Sequence, residues 1–560
     1  MLHRFIVTVT AFLILAPTLV FGAEPLPFSR LDPAQYNPAI DPDIDMFIGD
    51  WRDSMPRVIH GSLVVRDILT ELTGGDPLRP DRKGACLTEL KTIGYASLEP
   101  GATTVYKPMQ GFQELYYIDS GSGTLTSGGK KYDLRFGIGI VAPPGVNYSL
   151  TATGSTPLKM YRVVEPIPSG FTPKKEVTVK NEFDNPQGIS VHWCNIDRGV
   201  IGKNDGTAVM GFTAVKIDPM TMAQPHSHNE GVEEIWISVR GATRILLGKQ
   251  LRDLPPGSAY KIPATGITAH ANINISDSQS KLIHMMKNIP GEVHPYSMLA
   301  PAKLDPAKDP DVDLFMGDWR ESMPRVENGS LVIRDILTPV TGDDPLKPER
   351  KGACLTLLKS VSYCSLESGA STFPGSFSGE QALYYVTAGK GVITSAGKSR
   401  DIEKGSAFLI PPGIEFTMSS NGDGHLMIYR VIEPVPAGFT PKKEIVVTSE
   451  FAEQERMYVH WSNIDRVVLG AKHGTATITG FTSVKLAPMS IAQPHSHAPG
   501  EEEVWIALEG DITVLIGKQL RKLPVGSAYK VPENGITAHA NINPTGDFVK
   551  LMHMMKDRSR

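Results

Sequence analysis

A His-Ser-His triplet, a glutamate shortly after it and a later histidine form the strongest chemical pattern in the chain. These residues are His226, His228, Glu234 and His270. Residues i and i+2 of a β-strand face the same side, so the paired imidazoles are expected to face one interior. Three neutral imidazoles and one carboxylate suit a divalent ion and leave octahedral positions open for water, substrate or O2. The pattern therefore predicts a metal site.

The same four residue types recur later in the chain, as His495, His497, Glu503 and His539. The glycines and prolines between the ligands recur with them, which predicts a turn that returns the last histidine to the same cavity. The ligand count predicts one divalent metal ion per half of the chain. These ligand types do not distinguish iron, manganese, copper, zinc and nickel.

The choice of glutamate depends on where the count begins. Counting from the paired histidines favours Glu233 and Glu502, whereas counting back from the following glycine favours Glu234 and Glu503. An uninterrupted strand absorbs an insertion less readily than the loop before it. We therefore expect Glu234 and Glu503 to be the ligands.

These two blocks resemble the signature motifs of the cupin superfamily. The resemblance implies an all-β fold of four cupin barrels (double-stranded β-helix or jelly-roll), arranged as two tandem bicupin halves. It also implies ligand roles for the eight residues that carry the pattern. The sequence departs from the family at Met220 and Met489, where a glycine usually opens the first motif, and in longer loops within both motifs.

The strands that must position these residues belong to an internal duplication. DPDIDMFIGDWRDSMPRV from Asp41 recurs as DPDVDLFMGDWRESMPRV from Asp309, an offset of 268, whereas QPHSH from Gln224 recurs from Gln493, an offset of 269. One residue is therefore gained between them, near VMGF and TITGF. Short runs rich in β-branched and aromatic residues, separated by glycine and proline turns, predict strands throughout.

We divide the chain by these repeats as follows: 1–23 signal peptide, 24–83 N-terminal arm, 84–168 barrel 1 without metal, 169–290 barrel 2 with metal, 291–351 linker and repeated arm, 352–438 barrel 3 without metal, and 439–560 barrel 4 with metal.

The first and third modules keep the barrel frame but lack the histidines. The first module has Tyr106, Pro108, Glu114 and Tyr148 at the four ligand places, and the third has Pro374, Ser376, Ala382 and Phe416. We expect both modules to be structural partners of the metal-binding modules. The alternative is a metal-free ligand pocket lined by Tyr106, Tyr148 or Phe416.

Six further residues are candidates for the pocket around the metal: Gln224, Trp236, His284, Gln493, Trp505 and His553. The glutamines share strand parity with the paired histidines, and the tryptophans share it with the ligand glutamates. For His284 and His553 a core or interface role is the alternative. For His192 and His460, in the repeated HW-x-NIDR segment, we expect a structural role.

The strand that carries the first ligand glutamate alternates cavity-facing residues with Ile235, Ile237 and Val239. Apolar residues on both faces predict a strand covered by another barrel or subunit. Arg240 and Arg244 correspond to Glu509 and Thr513 in the second half. An arginine that grips an anionic substrate in both halves is therefore not supported at these places.

The N-terminus has the pattern of a secretory signal, with Arg4 followed by an apolar stretch to Phe21 and small residues at Gly22 and Ala23. It predicts secretion or export to the periplasm, and a retained membrane anchor is the alternative. The four cysteines show no CxxC spacing, and their pairing is not predicted. The net charge of -4 and the lack of a long basic run argue against nucleic acid as a partner.

Two classes of function fit these features. The first is a metal-dependent enzyme of the oxidoreductase type (dioxygenase-like or oxalate oxidase/decarboxylase-like) acting on a small organic molecule. A Lewis-acid isomerase or lyase acting on a sugar acid is the alternative within this class. The second class is a non-catalytic ligand-binding or storage cupin. A homo-oligomer is compatible with either class, and the fold alone does not choose the reaction.

Overall fold

The computed structural model describes residues 36–105, 109–189, 192–287, 305–422, 424–457 and 460–557. The predicted signal peptide, and Tyr106 and Pro108 at two of the first module's ligand places, lie outside the described residues. The described chain is almost entirely β-structure, as its strand-rich sequence predicts.

The first half contributes these strands: β1 (Ile48–Asp50), β2 (Arg57–Ile59), β3 (Leu63–Glu71), β4 (Ala85–Leu87), β5 (Thr92–Leu98), β6 (Phe112–Ser120), β7 (Gly123–Ser127), β8 (Lys130–Leu134), β9 (Ile138–Ala142), β10 (Ser149–Ala152), β11 (Leu158–Pro166), β12 (Thr178–Asn181), β13 (Gly188–Ile189), β14 (Asn195–Ile201), β15 (Phe212–Ile217), β16 (Thr221–Met222), β17 (Glu233–Arg240), β18 (Thr243–Leu247), β19 (Gln250–Leu254), β20 (Ser258–Lys261), β21 (His270–Asn274) and β22 (Ser280–Lys287).

The second half contributes these strands: β23 (Met316–Asp318), β24 (Arg325–Glu327), β25 (Leu331–Pro339), β26 (Ala353–Leu355), β27 (Ser360–Leu366), β28 (Glu380–Ala388), β29 (Lys390–Ser395), β30 (Lys398–Glu403), β31 (Ser406–Ile410), β32 (Thr417–Ser420), β33 (Leu426–Pro434), β34 (Val446–Ser449), β35 (Arg456–Met457), β36 (Asn463–Gly470), β37 (Ile478–Leu486), β38 (Ser490–Ile491), β39 (Glu501–Glu509), β40 (Ile512–Ile516), β41 (Gln519–Leu523), β42 (Ser527–Lys530), β43 (His539–Asn543) and β44 (Val549–Asp557).

Helical structure in the described residues is limited to short 3₁₀ turns. They are Ile44–Phe47, Trp51–Asp53, Glu182–Asp184, Lys203–Asp205, Val312–Phe315, Trp319–Glu321, Glu450–Ala452 and Ala471–His473. Within the described ranges, no helix has the length and apolar character needed to cross a membrane.

Each module is built from one large and one small sheet, antiparallel except that β4 and β26 pair in parallel with β3 and β25. In the first module, the large sheet has the order β12-β9-β6-β11-β5-β3-β2, and the small sheet has the order β10-β7-β8. The third module repeats both sheets with β24 to β34. Strands β2 and β3, from the segment predicted as an N-terminal arm, pair inside the first module's sheet.

The second module has a large sheet of order β1-β20-β17-β22-β15-β14-β13, and the fourth has the matching order β23-β42-β39-β44-β37-β36-β35. The N-terminal strand β1 therefore completes the second module rather than the first. The strand β17, which carries the first ligand glutamate, lies in the middle of its sheet between β20 and β22.

The two halves meet through the small sheets of the second and fourth modules. These sheets join into one closed barrel with the order β16-β21-β18-β19-β38-β43-β40-β41. The joins are short, with Thr221 opposite Gln519 and Gln250 opposite Ser490. A buried apolar cluster with residues from both halves fills this barrel, including Leu246 and Leu515.

Within the first half, the large sheets of the two modules pack face to face. Ile235, Ile237 and Val239 lie in one buried cluster with residues of the first module such as Leu115 and Tyr117. The prediction that this strand is buried on both faces is therefore confirmed. The covering neighbour is the first module of the same half.

Backbone geometry explains two sequence irregularities. The register of β37 shifts between Ile478 and Gly480, so that Thr479 is accommodated in a bulge, as the predicted extra residue in this region requires. Met220 and Met489, which replace the usual glycine, have φ of 53° and 49°. They keep the left-handed conformation that glycine adopts most readily, next to the contact between the halves.

Candidate metal centres

The structure brings His226, His228, Glu234 and His270 together in the second module. One donor atom from each residue lies within 4.8 Å of the others, and all four side chains are buried. The main chains of His226 and His270 form an antiparallel bridge, which places the two rings 4.2 Å apart. The Glu234 carboxylate reaches this group from β17 and contacts His228.

The fourth module forms the same arrangement from His495, His497, Glu503 and His539, again within 4.8 Å and buried. The Nε2 atom of His539 lies 3.1 Å from Nε2 of His497 and 3.1 Å from Nε2 of His495. The carboxylate of Glu503 contacts His497 and lies 3.4 Å from Nε2 of His539.

Hydrogen bonds outside the group set the orientation of the first histidine in each pair. Nδ1 of His226 lies 2.9 Å from the carbonyl oxygen of Gln224, and Nδ1 of His495 lies 2.9 Å from that of Gln493. A carbonyl oxygen only accepts, so Nδ1 must carry the proton, and the lone pair of Nε2 faces the group. Gln224 and Gln493 thus act through their backbone.

Burial sets the charge state of the first group. Desolvation lowers the pKa of His226 and His270, which favours the neutral imidazoles that metal ligation needs. Burial also opposes ionisation of Glu234, but the imidazoles of His228 and His270 hold its pKa well below the usual range. His226 and His270 therefore present neutral nitrogens beside the anionic carboxylate of Glu234.

This donor set fits a divalent metal ion. Two nitrogen ligands at right angles, each about 2.1 Å from an ion, lie about 3 Å apart, which is close to the Nε2 separations in the fourth module. Desolvated nitrogens that converge on one point would otherwise cost free energy. His226, His228, Glu234 and His270 would hold one ion, and His495, His497, Glu503 and His539 would hold a second.

The family model described as the cupin domain matches residues 94–164, which lie in the first module. Together with the two His₃Glu groups, this match decides the family. The chain belongs to the cupin superfamily. It is a duplicated bicupin, with metal motifs intact in the second and fourth modules and no such group among the described residues of the first and third.

Several solved structures are similar to this cupin at low identity. Oxalate decarboxylase from Lactobacillus farciminis, in a formate complex, is 14% identical over 46% of this chain and 90% of its own, with a TM-score of 0.35. Oxalate decarboxylase from Bacillus subtilis is 13% identical over 46% and 81%, with a TM-score of 0.35. AerE from Microcystis aeruginosa is 16% identical over 44% and 100%, with a TM-score of 0.33. No curated protein matches this cupin by sequence.

The two neighbouring glutamates of this cupin point to opposite sides of β17. Glu234 joins the histidines, whereas Glu233 accepts hydrogen bonds from Thr88 and pairs with Lys261 at 3.0 Å. In the second half Glu502 binds Thr356 in the same way, while Glu503 joins the histidines. The glutamates favoured by counting from the glycine are thus the ones that reach the metal group.

The predicted pocket residues on β17 and β22 surround the ligand carboxylate. Trp236 donates a hydrogen bond to Oε1 of Glu234, and Nε2 of His284 lies 3.1 Å from the same oxygen. The two rings lie 4.4 Å apart. Trp505 and His553 repeat these contacts with Glu503. His284 is 24% exposed, so it connects the buried ligand group with solvent.

His192 and His460, for which we predicted a structural role, lie directly against the metal groups. His192 stacks on the ligand His226 with ring centroids 4.4 Å apart, and His460 stacks on His495 at 4.2 Å. Burial lowers the pKa of His192 to about 3, so its ring is neutral. The adjacent Trp193 lies in the apolar cluster shared by the two halves. In the sequence, the repetition of the HW-x-NIDR segment was the signal that could have placed these histidines near the metal groups.

The tyrosines before the third ligand face the interior. Tyr260 donates a hydrogen bond of 3.1 Å to Asn272, and Tyr529 donates one of 3.1 Å to Asn541. The Tyr529 hydroxyl also lies 3.4 Å from Nδ1 of His539. These residues therefore support the third ligand, whereas Lys261 and Lys530 point to the opposite face, toward the odd-numbered modules.

The interior of the first module is filled by its own polar network. Nε2 of His60 lies 2.9 Å from Glu114, Arg162 donates a bond of 2.7 Å to it, and Tyr148 donates one of 2.6 Å. In the third module Phe416 replaces Tyr148 and stacks on Phe377 at 5.9 Å. These contacts favour the structural role predicted for both modules.

The structure also shows where the two arginines and the four cysteines considered in the sequence analysis lie. Arg240 lies over the ring of Phe136, and Arg244 donates to the carbonyl of Pro544 in the other half. Both side chains are thus engaged away from the first metal group. All four cysteines are free, and three of them are fully enclosed in the modules' cores.

Proposed function

We propose that this chain is an exported, metal-dependent cupin enzyme of the oxidoreductase type that acts on a small organic molecule. The observation that carries the proposal is the convergence of three imidazoles and one carboxylate within 4.8 Å in each half. Such a group leaves part of the coordination shell open for a substrate.

When bound, a redox-active ion would supply electron transfer to the substrate or O2, and a redox-inert ion would supply Lewis-acid activation. The protein contributes the surroundings. Trp236 fixes the carboxylate of Glu234, and the partly exposed imidazole of His284 can hold or release a proton beside the same carboxylate.

Metal analysis tests the metal centres directly. We expect about one ion per half in the native protein, and almost none in the double variant His226→Ala/His495→Ala. Full retention of metal by that variant would contradict the ligand assignment. The matched control is His425→Ala, a histidine of the third module outside both groups, which should retain all the metal.

The reaction class is tested by oxygen consumption. Iron, manganese or copper in the purified protein, with O2 uptake on addition of a catechol, a flavonol or oxalate, supports the oxidoreductase proposal. Zinc or nickel without O2 uptake would replace it with Lewis-acid chemistry, and a protein that is stable without any metal would favour ligand binding or storage.

Export rests on the N-terminal sequence pattern alone. N-terminal sequencing of the protein from its natural host should show a mature chain that begins at Ala23 or Glu24. A chain that still begins at Met1, in the soluble cell fraction, would overturn this part of the proposal.

A further inference from the structure

A row of three cations crosses the second module's large sheet on its outer face, which is the face turned away from the metal group. Lys216 on β15 is directly opposite Lys281 on β22, which is directly opposite Arg240 on β17. Arg198, on the neighbouring strand β14, lies beside this row. Like charges that face each other across strands are destabilising, so this row requires a counter-charge.

These four cations line one cavity of about 260 Å³ at the junction of the first and second modules. Phe136 and Phe183 form its apolar wall. Arg240 lies 3.5 Å from the ring centre of Phe136, and Arg198 lies 5.2 Å from that of Phe183. The rings thus hold the guanidinium groups in place at the cavity.

The acidic groups near this cavity do not neutralise the row. Glu182 lines the cavity and pairs with Lys281. Asp119 attracts Arg240 electrostatically without forming an ion pair with it. Its carboxylate accepts a hydrogen bond from Tyr95, and burial raises its pKa, which disfavours the charged form. Asp218 accepts from Gln279 at the rim.

Among the residues that the structure describes, Arg198, Lys216 and Arg240 form no side-chain ion pair. The neighbouring cations affect the pKa of Lys281. Burial lowers its pKa, the Glu182 carboxylate opposes that effect, and Arg240 and Arg198 add to it.

The duplicated half shows the same surface with two additional carboxylates among its cations. Lys485 and Lys550 are opposite each other as in the first half, but Glu509 takes the place of Arg240 and pairs with Lys404 at 2.7 Å. Glu455 pairs with Lys485, and also with Arg466 at 3.1 Å.

The residue that corresponds to Glu455 in the first half is Gln187, which is neutral and lines the cavity. Likewise the residue that corresponds to Lys404 is Phe136. Glu455, which pairs with the row in the second half, and Glu509, which stands within it, therefore have no carboxylate counterparts in the first half, and an aromatic wall is added.

We propose that this cavity of the first half is a binding site for a small dianion, such as a phosphate group, a sulfate group or a short dicarboxylate. The site lies on the outer face of the sheet and uses none of the metal ligands. The dianion would supply the charge that Glu455 and Glu509 supply in the other half, and the guanidinium groups would bind its oxygens in pairs.

The test measures binding of inorganic phosphate, sulfate and succinate to the full-length, chelator-treated protein by calorimetry, with sodium chloride at the same ionic strength as the reference. We expect one site for at least one dianion and none for chloride. The double variant Gln187→Glu/Arg240→Glu, which copies the second half, should bind the dianion at least about tenfold more weakly. Without dianion its melting temperature should equal or exceed that of the native protein.

The variant His226→Ala is the matched control and should bind the dianion as the native protein does. Loss of binding in this control would place the anion at the metal group and overturn the proposal. Equal behaviour of all dianions and chloride, or undiminished binding by a folded Gln187→Glu/Arg240→Glu protein, would overturn it as well.

Discussion

Trp236 donates a hydrogen bond of 2.7 Å from its indole nitrogen to Oε1 of Glu234, two residues before it on the same strand. The bond holds the carboxylate so that its other oxygen faces the histidines. Hydrogen bonds of this kind orient metal ligands, and their loss commonly weakens binding.

We therefore expect Trp236→Phe to weaken metal binding at the first centre by about 10- to 100-fold while the ring continues to fill the core. The affinity is measured in a His495→Ala background, which leaves only the first centre, by competition with a chelator of known affinity. Trp505→Phe in the same background is the control and should change nothing. An unchanged affinity in Trp236→Phe would show that the indole does not orient Glu234.

Much of the site follows from short-range spacing in the sequence. The i, i+2 spacing of His226 and His228 predicted two rings on one side of a strand, and the fixed distance to the next glycine identified Glu234. The two histidines lie outside the strands, with only an isolated bridge from His226 to His270, yet both still join the metal group. The all-β fold was predicted because strand and turn signals alternate along the whole chain. Both arguments depend on residues that are neighbours in sequence.

The parts that could not be predicted depend on contacts between distant segments. The closed barrel between the halves is joined by backbone pairing of Thr221 with Gln519, and main-chain hydrogen bonds carry no residue-specific signal. The cation row likewise depends on the register that sets Lys216 opposite Lys281. His192 stacks on His226 from a distant segment, beside Trp193, whose left-handed φ of 48° the sequence does not indicate.

The second metal centre has a charged neighbour that the first lacks. Nδ1 of His497 lies 3.3 Å from the carboxylate of Glu501, and the residue that corresponds to Glu501 in the first half is Val232. Glu533, which corresponds to Ala264, accepts a hydrogen bond of 2.9 Å from the main chain of Gly500 and so fixes the loop before Glu501. The second centre thus has two contacts that the first lacks.

We expect Glu501→Val to weaken metal binding at the second centre by about 10- to 100-fold, because a carboxylate on the outer nitrogen makes an imidazole a stronger ligand. The affinity is measured in a His226→Ala background. Glu230→Gln, which removes an exposed acid of the matching first-half loop, is the control in a His495→Ala background. If Glu501→Val binds metal as tightly as its parent, the carboxylate has no effect on the ligand.

The buried arginine of the odd-numbered modules keeps an ion pair although its partner changes. Arg162 binds Glu114 in the first module, whereas Arg430 binds Glu327 at 2.6 Å in the third. Ala382 corresponds to Glu114, and Ile59 corresponds to Glu327. The carboxylate has thus moved from β6 to the end of β24 without loss of the pair.

We expect Glu114→Ala to destabilise the protein by about 3 to 5 kcal/mol, because the Arg162 charge would be left buried and unpaired. Glu114→Ala/Ile59→Glu copies the third module and should recover most of this loss. Denaturant unfolding of the three proteins measures the effect. Equal stability of the single and double variants would show that the arrangement of the third module does not transfer.

Asp465 is buried on β36, beside β37 and opposite Arg456 on β35, and burial raises its pKa to about 6 against the attraction of His553. The unfolded chain loses this proton near pH 3.8. Between these pH values the folded state binds more protons than the unfolded state, so the free energy of unfolding falls as pH rises.

Asp465→Asn should remove this loss of stability. Measured by denaturant unfolding of chelator-treated protein, its advantage over the native protein should grow from zero below pH 4 to at most about 3 kcal/mol above pH 6. Asp401→Asn, at an exposed site, is the control, and an Asp465→Asn effect that does not vary with pH would refute the raised pKa.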